Sequence, residues 1–138
     1  MNESTVYMAI NSPRPHQAVI TKLIARLYVL FETGQIHLQP YPETMLDSGR
    51  SSPVPDVILV NPETEQTEII IEISNKTGFK NDCNKVKKLI DEQNYDIREG
   101  FVYNYQTEEW FKYELNKGIA VENTSFSEIV IQDFNKFL

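Results

Sequence analysis

The sequence has a single cysteine, Cys83, so it cannot form an internal disulfide, and a small disulfide-stapled scaffold is excluded. No apolar run approaches the ~18–20 residues of a membrane span. Five glycines and seven prolines are too few for a collagenous or low-complexity chain. No internal repeat is present, which excludes a solenoid. The first residues, Met1 to Thr5, lack the basic and apolar blocks of a secretory signal, so a cytoplasmic protein without membrane contact is expected. Positive charge is also scarce: 13 Lys and Arg face 20 Asp and Glu, for a net charge of −7. What remains is 138 residues with 41% apolar content, enough to close one core, so a single domain over 1–138 is expected.

The net charge hides an uneven distribution. Residues 4–31 carry Arg14, Lys22 and Arg26 and no acid. Residues 76–88 carry Lys76, Lys80, Lys85, Lys87 and Lys88 against Asp82 alone. On charge alone these are two solvated helix faces. The alternative is that both line a groove for an anionic substrate.

Residues 11–16 read as a helix entry, with proline in the first turn. Val19, Ile20, Leu23, Ile24, Leu27, Leu30 and Phe31 then follow a 3.6-residue period, and Gly34 is a stop. Residues 36–46 are strand-like, with Pro40 and Pro42 marking an edge, and 47–53 is a polar turn. Residues 55–60 and 67–74 are dense β-branched runs, apolar on both faces, hence central strands covered by helices. A second helix is expected over 82–93, with Val86, Leu89, Ile90 and Gln93 on one face. A strand pair follows at 100–105 and 110–115, then a short strand at 127–131 and a helical turn at 133–138. The order implies an α/β (α+β) fold, a central mixed β-sheet flanked by helices.

The chemistry lies in the acids inside the two best strands. Asp56 opens the first and Glu72 interrupts the second. If the runs pair antiparallel about Thr64, Asp56 stands directly opposite Glu72, with Cβ atoms about 4.5–5.5 Å apart. Carboxylates that close repel unless one is protonated or a cation joins them. Oxygen ligands without a Cys/His set suit Mg²⁺ or Mn²⁺. The bland alternative makes Asp56 a strand start and Glu72 the partner of a lysine.

Pro55-Asp56 followed after fifteen residues by Glu72-Ile73-Ser74 resembles the PD-(D/E)xK nuclease signature, the restriction-endonuclease-like fold. His16, Pro42-Glu43, Asp82, the lysines at 85, 87 and 88, and Glu99 to Tyr103 extend the likeness over roughly residues 10–115, toward a branch of small bacterial endonuclease-like proteins. The resemblance implies a metal-dependent endonuclease acting on nucleic acid, DNA above all, and working as a homodimer. It implies Mg²⁺ (or Mn²⁺) held by Asp56, Glu72 and the Ile73 carbonyl, with Glu43 either completing the shell or merely a surface acid. It also implies substrate contacts at His16, Lys76 and Lys88. The bland alternative has His16 bond a carbonyl or stack on Tyr28. The motif lysine falls at position 74, where this chain has Ser74. The branch draws its lysine from the following helix instead. Helix phase favours Lys85, whereas counting back from Glu99 favours Lys88. Asp82 is either a helix N-cap or part of the site. Trp110 and Tyr103, Tyr105 and Tyr113 fall at strand spacing and read as sheet packing, and Cys83 as a packed helix residue. Two alternatives remain: a nuclease-fold relic that binds nucleic acid or protein without cleaving, and an α/β domain in which Glu72 is a structural ion-pair partner.

Overall fold

The computed structural model describes residues 13–47 and 52–138. The N-terminal residues used above, the first two of the helix entry and most of the 47–53 turn lie outside them. Helix α1 (Arg14–Glu32) opens behind Pro13 at its N-cap, with no side-chain cap, and ends at Thr33 before Gly34. Strands β1 (Gln39–Pro42), β2 (Val57–Asn61) and β3 (Gln66–Ser74) follow. Helix α2 (Phe79–Asp91) leads to β4 (Glu99–Asn104), β5 (Glu109–Glu114) and β6 (Gly118–Ile119). These six strands form one sheet in the order β1-β2-β3-β4-β5-β6. The β3–β4 pair is parallel and the others are antiparallel, so the sheet is mixed. The proline-bearing β1 takes an edge, where a missing N–H breaks no ladder.

Alternation along β3 divides the core. Ile69, Ile71 and Ile73 face α1, packing with Leu23, Leu27 and Phe101. Ile70 faces the other way, with Val86, Leu89 and Ile90 of α2. Glu72 therefore belongs to the α2 face. Gly100 of β4 lets α2 lie close: a Cβ there would meet Val86 Cγ1 at 2.4 Å. Among the described residues no helix is long and apolar enough to cross a membrane.

Several boundaries differ from the sequence reading. Helix α2 starts at Phe79, with Gly78 as its N-cap, so Asp82 is a first-turn residue and not the cap. It ends at Asp91, leaving Gln93 exposed beyond it. The run 127–131 makes only a two-residue strand, β7 (Phe126–Ser127), paired with β8 (Gln132–Asp133) in a separate ribbon. Ile131 turns the chain at φ 56, which ends the extended run. A 3₁₀ turn (Phe134–Phe137) closes the described chain. Trp110 and Tyr103 pack with Phe101 and Phe134, and the indole N–H donates to Asn135 Oδ1 at 3.0 Å.

The β2–β3 hairpin keeps the register about Thr64 from Val57 to Leu59 and departs from it only next to the turn. Next to the turn, Asn61 pairs with Gln66 and Val60 with Thr67, one residue short of that register. A bulge between Leu59 and Val60 takes up Glu68, and beyond it Leu59 faces Ile69 and Val57 faces Ile71. Continued by one residue, this register sets Asp56 opposite Glu72. The extra residue matters because a one-residue slip would send Glu72 to the α1 face.

Candidate active site

The site forms where β2 begins and β3 ends. Asp56 immediately precedes β2 and Glu72 lies near the end of β3. The backbone N–H of Ile73 donates to Asp56 Oδ2 at 2.7 Å. From the first turn of α1, His16 Nε2 approaches the same oxygen at 3.4 Å. From the other face of the sheet, Lys85 Nζ of α2 lies 3.6 Å from Glu72 Oε2. The two helices thus bring one basic group each to the carboxyl pair from opposite sides.

Burial sets the protonation of the pair. Glu72 is 5% exposed. Desolvation, then repulsion from Asp56, pushes its carboxyl up to about 8, against a smaller opposing pull from Lys85. Asp56 also suffers desolvation, but hydrogen bonds from His16 and the Ile73 N–H outweigh it and hold the carboxyl below its usual range. Repulsion within the pair is thus relieved by the two carboxyl pKa values moving apart, Glu72 upward and Asp56 downward. His16 is raised to about 9, chiefly by Asp56, with Gln17 and the backbone of Ile73 adding to it.

The other expected residues take different places. Glu43 donates its backbone N–H to the Asp56 carbonyl at 2.9 Å, adopts φ 42 and leaves its side chain exposed. Its placement is by main chain. Lys76 is exposed, with its N–H bonded to Gln106 Oε1. Lys88 is exposed too, yet it lines a cleft together with Glu72 and Lys85. Ser74 is buried, and its hydroxyl donates to the Asn75 carbonyl at 3.2 Å. Asp82 adds to the repulsion felt by Glu72. His16 does not stack on Tyr28; its ring meets Tyr105 edge-on at 6.4 Å. Cys83 is buried on α2 and His37 is exposed.

The oxygen atoms that could hold a divalent ion here are few. Among the described residues no three His, Cys, Asp or Glu side chains converge, so an ion held here would need a main-chain donor as well. The Ser74 carbonyl accepts from Tyr105 N–H on the β4 side. By alternation, Ile73 turns its N–H and carbonyl to the opposite edge, where its N–H meets Asp56. Two carboxyls and one carbonyl are hard oxygen donors, and Mg²⁺ is content with one or two carboxylates plus waters. The repulsion between Asp56 and Glu72 is what a cation placed between them would relieve.

The pair has a consequence for stability in chelator. His16 and Glu72 both have folded-state values above their ordinary 6.5 and 4.5. Such groups stabilise fully below the ordinary value and lose that contribution as pH rises through the folded one. Glu72 withdraws its share up to about pH 8 and His16 from 6.5 to about 9. The metal-free protein is therefore expected to melt at a lower temperature at pH 9 than at pH 6. Thermal scans in chelator check this, and a flat profile would show that neither group is perturbed.

No protein-family model matches the chain, and no curated protein matches its sequence. The fold matches a crystal structure described as "a putative nuclease belonging to DUF820" from Anabaena variabilis. The TM-score is 0.65, covering 92% of this chain and 77% of that one, at 15% sequence identity. At that identity the likeness shows the fold: a mixed α/β sheet flanked by two helices.

Proposed function

We propose that the protein is a metal-dependent nuclease that hydrolyses phosphodiester bonds of nucleic acid, DNA in the first instance. The observation that carries this reading is the buried Asp56–Glu72 pair, whose Glu72 lines a cleft together with Lys85. The nuclease description of the structural neighbour supports it. Asp56, Glu72 and the Ile73 carbonyl would hold Mg²⁺ or Mn²⁺. A divalent ion so held supplies an activated water and neutralises charge on the phosphoryl oxygens.

The chain's own residues do the rest. The Ile73 N–H and His16 orient the Asp56 carboxylate. Lys85 sets an ammonium beside the pair, where it can meet charge developing on the phosphate. Lys76 and Lys88 add salt-sensitive attraction for the backbone. A second reading, a non-cleaving interaction module, draws support from Ser74, which supplies no ammonium where the motif lysine would stand.

The test compares Lys85→Met with Lys88→Met in cleavage of plasmid and single-stranded DNA, with Mg²⁺ or Mn²⁺ and with chelator. Lys85→Met is expected to lower the rate about 10²-fold, the scale of one lost charge-stabilising donor. Lys88→Met is expected to weaken binding, less so at high salt. Wild-type protein that cleaves nothing with either ion would favour the non-cleaving module.

A further inference from the structure

We propose that the cleft beside Glu72 holds one unstacked nucleotide of a single strand, which makes the enzyme selective for single-stranded over duplex substrate. The proposal rests on the nuclease reading and goes further, to the form of the substrate. The cleft measures about 300 Å³ and is lined by Val54, Glu72, Lys85, Lys88, Leu89 and Gln93, with Pro53 at its rim. That is the low end of the roughly 300–1,000 Å³ of small-molecule sites, room for one nucleoside-sized group.

Its chemistry is graded along α2. Lys85 and Lys88 are three residues apart, so both ammonium groups rise from one face of the helix. Glu72 and Lys85 mark the catalytic end. Leu89 follows one turn on, about 6 Å along the axis. Across the cleft Val54 presents an isopropyl group that is 50% exposed. Among the described residues Val54 belongs to neither core cluster, and its apolar surface borders the cleft. Gln93, just past the helix, offers an exposed amide with one acceptor and two donors. Phosphate beside the lysines, a base face against Val54 and Leu89, and a base edge at Gln93 match one nucleotide from phosphate to base.

A duplex cannot supply that group cheaply. Its bases are stacked and paired, and turning one out breaks both the stacking and the pairing. A single strand presents unstacked bases at little cost. The lysines act on both forms, since both carry phosphates, whereas Val54 and Gln93 act only where a base enters.

The experiment measures binding of a short fluorescent single-stranded oligonucleotide, and of the same sequence as duplex, with Ca²⁺ replacing Mg²⁺ to prevent turnover. The proteins are wild type, Val54→Ser, Gln93→Ala and Lys88→Met, with thermal melting to confirm folding. Wild type is expected to bind the single strand at least about 10-fold more tightly, because only the duplex must first extrude a base. Val54→Ser and Gln93→Ala are each expected to weaken single-strand binding about 3- to 10-fold, the worth of one apolar contact or hydrogen bond, and to leave duplex binding unchanged. Lys88→Met should weaken both forms and reduce the salt slope by about one. Equal or tighter duplex binding, or unchanged single-strand binding in both cleft variants, overturns the nucleotide cleft. Metal-dependent cleavage that persists in such a case leaves the nuclease reading standing. Absence of nucleic-acid binding by the wild type overturns both.

Discussion

Glu72→Gln is expected to raise the stability of the metal-free protein at pH 8 while lowering metal-dependent cleavage about 10³-fold or more. The loss follows from a metal ion's several kcal/mol of transition-state stabilisation, at 1.36 kcal/mol per tenfold. An amide at position 72 keeps the shape of the carboxyl, but it cannot become the anionic ligand. The gain in stability has the opposite origin. Glu72 is buried, repelled by Asp56 and Asp82, and raised to about 8. The folded state therefore carries a growing penalty as pH climbs from 4.5 toward 8. Glutamine carries none, and the variant should be more stable at pH 8 by about 1–2 kcal/mol, as when other costly buried ions are neutralised. It should also flatten the pH dependence of melting. Urea titrations in chelator and cleavage assays with Mn²⁺ measure the two effects. The opposite sign separates readings. If Glu72 were simply the structural partner of Lys85, the same substitution would destabilise. Lys85 is 56% exposed, so that ion pair is solvent-screened and a weak reason to bury a carboxyl.

Lys112→Met is expected to cost about 3–5 kcal/mol of folding free energy, the usual result of removing one partner from a buried ion pair. Lys112 lies on β5 with its side chain 3% exposed. Its Nζ stands 3.7 Å from Glu99 and 3.9 Å from both Glu114 and Glu128, and donates to the Phe126 carbonyl at 2.7 Å. The ammonium also sits 5.5 Å from the Phe101 ring centroid. Glu99, equally buried, accepts from Ser127 Oγ at 2.6 Å and from Glu128 N–H at 2.9 Å. The cluster therefore ties residues 126–128 to β4 and β5. Methionine keeps the volume but strands the Glu99 charge. Against a typical total of about 5–15 kcal/mol, the loss is severe. Adding Glu99→Gln should recover part of it, because the stranded charge is then gone. Urea denaturation of the single and double variants reads this, and amide exchange should show 126–134 losing protection first. The candidate site lies toward the other end of β3 from the pairing of Ile69 with Glu99, so metal affinity should persist wherever the protein remains folded.

How much of this was legible in the residues varies with the range of the interaction. Periodicity alone placed α1, because Ile20, Leu23 and Leu27 repeat along one face whatever they pack against. Runs of β-branched residues marked β2 and β3 as central for a similar reason: apolar side chains on both faces require cover on both. The acids at 56 and 72 stood out because a carboxyl inside such a run is costly without a partner. Other features depended on contacts that spacing does not encode. The start of α2 moved to Phe79 because Gly78 N–H bonds the Asn75 side chain and turns the chain early. The alignment of Asp56 with Glu72 depended on the bulge at Glu68, which corrects a turn one residue out of step. His16 and Asp56 are forty residues apart and meet only because α1 packs across the sheet. Lys112 carried no local sign of burial, since its carboxylate partners come from β4, from β5 itself and from beyond β6. Local periodicity and the cost of burying charge thus determined which residues had to matter. The tertiary structure decided which of them meet, because register and helix packing are settled by the core as a whole.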